Sequence, residues 1–200
     1  MPSHPSLDGL NWPKIRALAQ QLAASEAGET LLGEVGDDLA SPEVSARMYA
    51  VYLLGFTSDR HPEHLDLLRE RAVPDQSWEV QEALAQAFDA YCATRGYEAA
   101  LPLIDTWLGD TQPNARRAVS EGLRPWTSKR RTYFARHPEE AIRRLAALRS
   151  DPSDYVRHSA GNALRDIRRS FPALVDAETA IWNLADPLES FTYQRVLKAQ

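Results

Sequence analysis

The chain has 200 residues, 44% of them apolar and 26% charged, with a formal net charge of −5 and a single cysteine. Such a length can bury one sizeable core, and the proportions are those of a water-soluble protein. The lone Cys92 excludes an internal disulfide and any cysteine-based metal cluster. No run is long enough to span a bilayer, and no basic segment followed by an apolar core opens the chain, so a cytoplasmic location without a secretory leader is expected.

Residues 1–10 are polar, with two prolines, and read as a loose N-terminus. Asn11 reads as a helix cap with Pro13 in the first turn, and Ile15, Leu18, Ala19 and Leu22 form an apolar stripe. Gly28 breaks that run. Leu31, Leu32, Val35 and Leu39 predict a short helix weakened by Gly33 and Gly36. Ser41-Pro42-Glu43 opens the next helix, buried through Val44, Met48, Val51, Tyr52 and Leu54. A turn follows over 57–62, then a helix from Glu63 to Val73. His61 and His64 have a spacing that suits a metal, but without a cysteine or carboxylate to complete a set they are assigned to turn and surface roles.

Ser77 caps a long helix that Gly96 ends, and Tyr97 to Leu108 follows. Pro113 starts a helix that Gly122 and Pro125 stop early, and Trp126-Thr-Ser-Lys-Arg-Arg makes a basic loop. Pro138-Glu139-Glu140 starts a helix, and Asp151-Pro152-Ser153-Asp154 starts another that ends near Ser170. Phe171-Pro172 opens a last helix expected to bury Leu174, Val175, Ile181 and Leu184, and the tail beyond Pro187 reads as frayed. No stretch alternates as a strand does. There is no phosphate-binding glycine loop, no nucleophile elbow and no H-E-x-x-H, which disfavours nucleotide hydrolases and zinc proteases.

Three of these helices repeat one another. With Asp75, Asp110 and Asp151 on one column, at spacings of 35 and 41 residues, apolar residues coincide at Val80, Ala115 and Val156, at Leu84, Val119 and Ala160, and at Phe88, Leu123 and Leu164. A fainter fourth copy begins near Leu39, with Val44, Met48 and Tyr52 on the apolar columns. This period predicts an all-α solenoid of about five or six helix pairs, occupying residues 11–186 between the N-terminal segment and a tail at 187–200. Between the apolar columns lie Trp78, Pro113 and Asp154; four residues on, Glu82, Arg117 and His158; four further, Gln86, Glu121 and Asn162. Steps of four stay on one helix face, so stacked repeats are expected to align these residues on one concave surface. A merely solvated face is the plain alternative.

Charge is unevenly distributed. Residues 1–114 balance to −11, residues 115–170 to +8 with 14 basic against 6 acidic side chains, and residues 171–200 to −2. A basic block inside an acidic chain points to a polyanion, and all but one of its cations are arginines, suited to bidentate phosphate contacts. An arginine-rich helical surface with no partner is the alternative.

The segments W-E-V-Q-E-A-L-A-Q-A-F-D (78–89), N-A-R-R-A-V-S-E-G-L-R-P-W (114–126) and Y-V-R-H-S-A-G-N-A-L-R-D-I (155–167) resemble the HEAT-like-repeat DNA alkylation repair proteins, the AlkC/AlkD family, over about residues 40–185. The resemblance implies a DNA glycosylase acting on alkylated purines in double-stranded DNA, with no cofactor or metal, and a monomer is expected. It places Trp78 and Glu82 on a Trp–acid pair beside the lesion, with Glu in place of the AlkD-like branch's Asp. It places Arg117 on a backbone-holding arginine, and Asn162 where that branch has a second Trp. Glu121 falls on an acidic position of the AlkC-like branch. Catalytic candidates are thus Glu82 and Glu121. DNA- and lesion-binding candidates are Trp78, Arg116, Arg117, Arg124, Lys129, Arg130, Arg157, His158 and Asn162.

The chemistry stands beside the resemblance. A 3-alkyl or 7-alkyl purine is cationic, so its glycosidic bond is already weakened. A protein can add negative charge beside the oxocarbenium-like sugar and an oriented water. Glu82 suits that role with Glu121 as partner, Trp78 suits stacking or a cation–π contact, and the arginines suit phosphates. A Glu82–Arg117 pair that only joins adjacent repeats is the structural alternative. Two other function classes stay open: a DNA-binding protein of the same fold without catalysis, which Asn162 favours, and a helical-repeat scaffold for proteins.

Overall fold

Each repeat begins at a turn whose first residue folds the chain back on itself. The turn residues are Ser41, Asp75, Asp110 and Asp151. Each side-chain oxygen accepts the backbone N–H two residues on, from Glu43 at 3.1 Å, Ser77 at 2.7 Å, Gln112 at 2.8 Å and Ser153 at 2.8 Å. Six residues after each turn stands a long donor side chain: Arg47, Gln81, Arg116 and Arg157. All four reach back to the carbonyl of their own turn residue, Arg47 at 2.9 Å, Gln81 at 2.8 Å and Arg116 at 2.7 Å, with Arg157 bonded in the same way to Asp151. These shared bonds set the register of the repeats. They also correct the fourth copy: it starts at Ser41, two residues beyond Leu39, so its apolar columns hold Ala46, Ala50 and Leu54, all fully buried.

The computed structural model describes residues 6–7, 9–25, 32–124 and 132–198, and among these every regular element is helical. The basic loop over 126–131, with Lys129 and Arg130, lies outside the described residues, as does most of the N-terminal segment. The chain forms two compact units, Met1–Arg95 and Gly96–Gln200.

The first unit contains α1 (Trp12–Ala23), α2 (Leu32–Leu39), α3 (Val44–Thr57), α4 (Glu63–Leu67) extended by a π turn (Leu68–Ala72), and α5 (Trp78–Arg95). Asn11 caps α1 by accepting from the Lys14 N–H, with Pro13 in the first turn. α3 is apolar nearly all round and packs between α1 and α5, with residues 48–54 wholly buried. Gly55 permits the α3–α5 approach: a Cβ there would lie 2.4 Å from the Ala87 Cβ. Arg47 also ties α3 to the next repeat, its Nε donating to Asp75 at 2.7 Å.

The second unit contains α6 (Tyr97–Leu108), α7 (Pro113–Gly122), α8 (Thr132–Arg136), α9 (Pro138–Ala146), α10 (Asp154–Arg168), α11 (Pro172–Thr179) and α12 (Pro187–Leu197). α10 is its centre, packed against α7, α9, α11 and α12. Arg116 repeats the Arg47 arrangement, donating to Asp151 at 2.6 and 2.8 Å in fork-to-fork geometry.

The C-terminal part differs from the sequence expectation. α11 stops at Thr179, which leaves Ile181 80% exposed and Leu184 exposed as well, while Trp182 turns inward and donates to Glu178. The residues after Pro187 are not frayed. Asp186 caps α12 through the Leu188 N–H at 2.7 Å, Pro187 occupies the first turn, and Thr192 donates to the Arg149 carbonyl at 2.6 Å. Gly161 lets α12 sit close on α10, since a Cβ there would lie 2.6 Å from the Arg195 Cβ.

Replacing Arg116 by Met keeps the side-chain length and leaves Asp151 buried without its partner. Loss of one member of a buried pair costs about 3–5 kcal/mol. Urea denaturation of Arg116→Met should show a loss of that size with an unchanged m-value; a loss below ~1 kcal/mol would mean the pair does not hold the repeats.

Candidate functional site

The polar stripe of the first unit runs across three helices. On α5 it carries Trp78, Glu82 and Gln86. On α3 it carries Tyr52, whose hydroxyl donates to Gln86 Oε1 at 3.4 Å, and Phe56, whose ring stacks on Tyr52 with centroids 6.3 Å apart. On α1 it carries Trp12 and Arg16. Trp12 lies against Trp78 with ring centroids 4.8 Å apart, and the Arg16 guanidinium sits 5.2 Å over the Phe56 ring. Trp78 is 60% exposed, which is unusual for the largest side chain in the protein.

Tyr52 reports the electrostatics at the floor of this cluster. Its pKa is pushed up to about 12, first by burial; Arg16 opposes the rise and Glu82 adds to it. A cation and a carboxylate therefore both act on the same phenol, within one cluster of aromatic rings. Trp12, Arg16, Tyr52 and Phe56 are absent from the sequence-derived site. The signal was present in the first helix: W-x-x-x-R in α1 has the same four-residue step as W-x-x-x-E in α5.

The second unit divides its candidates into two groups. Glu121 and Arg124 belong to its interior. Glu121 is 4% exposed. It accepts from Ser159 Oγ at 2.6 Å and from Arg124 at 2.8 Å, with Arg117 3.9 Å away. Arg124 also donates to Asp166 at 3.0 and 2.9 Å, which joins α7 to α10. The sequence assigns Arg116, Arg124 and Arg157 to DNA, but the structure turns all three inward onto carboxylates or turn carbonyls. Glu121, assigned to catalysis, is likewise occupied by its arginines and serine. The physical reason is position: the turn-capping site and the α7–α10 seam both need a cation in a water-poor place.

Arg117, assigned to the DNA backbone, is buried as well, at 8% exposure. The Arg117 guanidinium stacks 4.5 Å over the ring of the exposed Tyr155. Asn162 is half-buried on α10. His158 meets a cluster that the sequence did not foresee: its ring lies 5.0 Å from Phe191, while Arg157 and Arg195 each place a guanidinium 5.1 Å from the same Phe191 ring. Burial holds the His158 pKa below the ordinary histidine value, helped by Arg195, Arg157 and Lys198 and opposed by Asp154. Arg195 and Lys198 escaped attention because the segment carrying them reads as a tail.

The model of the DNA alkylation repair enzyme family matches residues 1–177. The chain belongs to the DNA alkylation repair enzyme family. Among solved structures it is similar to AlkD2 from Streptococcus mutans, at 40% identity, with 98% of this chain and 92% of that chain covered and a TM-score of 0.88. It is also similar to smu.31 from Streptococcus mutans UA159, at 40% identity, with 95% and 85% covered and a TM-score of 0.73. A more distant likeness, in fold alone, is to the Pseudomonas fluorescens alkylpurine DNA glycosylase AlkC, bound to DNA containing an abasic site analog: 23% identity, 92% and 60% covered, TM-score 0.53. Among curated proteins none matches. The repeats described above are therefore the HEAT-like helix pairs of this DNA repair family, and its model stops short of α12.

The His158 cluster has a pH signature. With its folded pKa depressed, His158 takes up a proton in the unfolded chain before it does so in the folded one. Its contribution to stability is intact above the ordinary histidine pKa of ~6.5 and is lost as pH falls through the folded value. Arg195→Ala removes the largest opposing charge. NMR titration of His158 should show its pKa moving up in that variant, and an unmoved pKa would place Arg195 outside the cluster.

Proposed function

We propose that this protein is a DNA glycosylase that releases cationic alkylated purines, 3-alkyl or 7-alkyl, from double-stranded DNA. The observation that carries this reading is the exposed Trp78, leaning on Trp12, with Glu82 one turn further along α5. Membership of the DNA alkylation repair enzyme family supports it.

The reaction asks little of the protein. The alkylated base is already positively charged, so the C1′–N bond breaks with its electron pair leaving on the base, which becomes neutral. Positive charge appears on the sugar. The Glu82 carboxylate stabilises that charge, water adds at C1′, and its proton passes to the carboxylate or to solvent. Trp78 and Trp12 offer indole faces to the cationic base, an attraction of about 0.5–2 kcal/mol. In the second unit, His158, Arg195 and Lys198 supply phosphate contacts that fix the duplex without reading its sequence. Glu121 has no place in this scheme, because its oxygens are occupied inside the protein.

A second reading is a damage-binding protein of the same fold without catalysis. Asn162 favours it, standing where the resemblance implies a second Trp.

Glu82→Gln keeps size and removes charge. Base release from methylated duplex should fall by about 10²–10³, the range for losing one electrostatic stabiliser, while DNA affinity holds. Glu121→Gln should lower the melting temperature and leave turnover per folded molecule intact. If the unaltered protein binds methylated duplex yet frees no base, the damage-binding reading replaces this one.

Phosphate contacts have their own test. Affinity for duplex should fall steeply with salt, and Arg195→Ala with Lys198→Ala should flatten the slope of log K against log salt by about 1–2. A salt-independent affinity would remove the phosphate assignment.

A further inference from the structure

The corner between α3 and α4 carries His61, Glu63 and His64, far in sequence from the tryptophan cluster's carboxylate and not used by the proposed chemistry. The sequence reading found no carboxylate to complete the histidine pair. The structure supplies one, since Glu63 lies between the two histidines and its Oε1 is 3.5 Å from His61 Nδ1. One ligand-type atom from each of the three residues lies within 4.8 Å of the other two.

His64 is anchored by its neighbours. Its Nδ1 lies 2.9 Å from Thr57 Oγ1, which also lies 2.8 Å from the Leu53 carbonyl oxygen and 3.2 Å from that of Leu54. Fixing the second ring nitrogen by a hydrogen bond is how proteins orient metal-binding imidazoles.

His61 contributes the other unexplained atom. Its Nε2 is buried with no hydrogen-bond partner among the described residues, and an orphaned buried nitrogen is costly. The two rings lie 4.9 Å apart and tilted by 32°, in contact but not bonded to each other.

We infer that His61, Glu63 and His64 form a binding site for a divalent transition-metal ion, Zn²⁺ in the first place. Two imidazoles and a carboxylate suit zinc and its neighbours in the first row, and suit magnesium or calcium poorly. Bonds of about 2.0–2.2 Å to a tetrahedral ion place ligand atoms about 3.3–3.5 Å apart. The widest separation, up to 4.8 Å, must therefore close by roughly an ångström, as that bond length requires. His64 is the buried, fixed ligand. His61 and Glu63 have side chains 28% and 67% exposed and are free to close on it. Water takes the fourth position. The ion would clamp the loop after α3 to the first turn of α4, and it stands apart from the DNA chemistry, so the two proposals succeed or fail separately.

Titration of tag-free full-length protein with Zn²⁺ tests the site by calorimetry, with Co²⁺ as a spectroscopic probe. One ion per chain should bind saturably, and Co²⁺ should show the intense visible absorption of a tetrahedral site. His61→Ala and Glu63→Gln, at a half-buried and an exposed position, should each weaken Zn²⁺ at least about tenfold while melting normally in its absence. Thr57→Val removes the hydroxyl that bonds His64 Nδ1 and should cost about 10–100-fold. Absence of saturable binding would overturn the inference, and so would a bound ion whose affinity His61→Ala and Glu63→Gln leave unchanged.

Discussion

The turn-capping donor is the interaction on which this structure depends. At each repeat an arginine or glutamine six residues after the turn, buried or half-buried, closes that turn onto the helix it starts, and in two of the four it also grips the turn aspartate of the following repeat. A buried ion pair contributes little net stability against its desolvation cost, but breaking it is expensive. Such a pair penalises misregistered stacking more than it rewards correct stacking. That suits a repeat protein, where many shifted packings of similar apolar helices compete.

The same device accounts for much of the positive charge. Counting arginines over 115–170 gives a strongly basic block, yet Arg116, Arg124, Arg144 and Arg157 are all held within the second unit. Arg144 donates to Asp105 at 2.7 Å, and the others are bonded as described. What a polyanion can meet is a smaller set, the His158–Arg195–Lys198 cluster around Phe191. Net charge in a helical-repeat protein thus overstates its phosphate-binding surface, because the repeat architecture itself consumes cations.

Much of the fold was legible in the sequence, for local reasons. Gly96 marked the end of α5, and Gly122 with Pro125 the end of α7, while Ser77, Pro113 and the Asp151-Pro152-Ser153-Asp154 run marked the starts of α5, α7 and α10. The illegible parts were those decided by tertiary contact. The fourth repeat was misregistered by two residues because α3 is apolar on nearly every face, so periodicity alone could not choose among Val44, Met48 and Tyr52 or Ala46, Ala50 and Leu54. Pro187 reads as a stop but acts as the first turn of α12, and what holds α12 is the close approach at Gly161, invisible to local reading. Of the candidate site, the Trp78–Glu82 step was legible, whereas Trp12 and Arg16 required knowing that α1 lies beside α3.

The contrast between Glu82 and Glu121 shows why a stripe position does not define a role. Both lie on polar columns of inner helices, and both match acidic positions in the resemblance. Glu121 is surrounded by Arg124, Arg117 and Ser159, so its negative charge is already neutralised by groups that cannot leave without opening the α7–α10 seam. A carboxylate in that state has little charge left to offer a developing cation. Glu82 shares its surroundings with indoles, a phenol and one arginine that stands over Phe56. Its field reaches Tyr52, where it adds to the rise that burial begins and Arg16 opposes. Electrostatic catalysis, as proposed for Glu82, needs a fixed charge in a low-dielectric place.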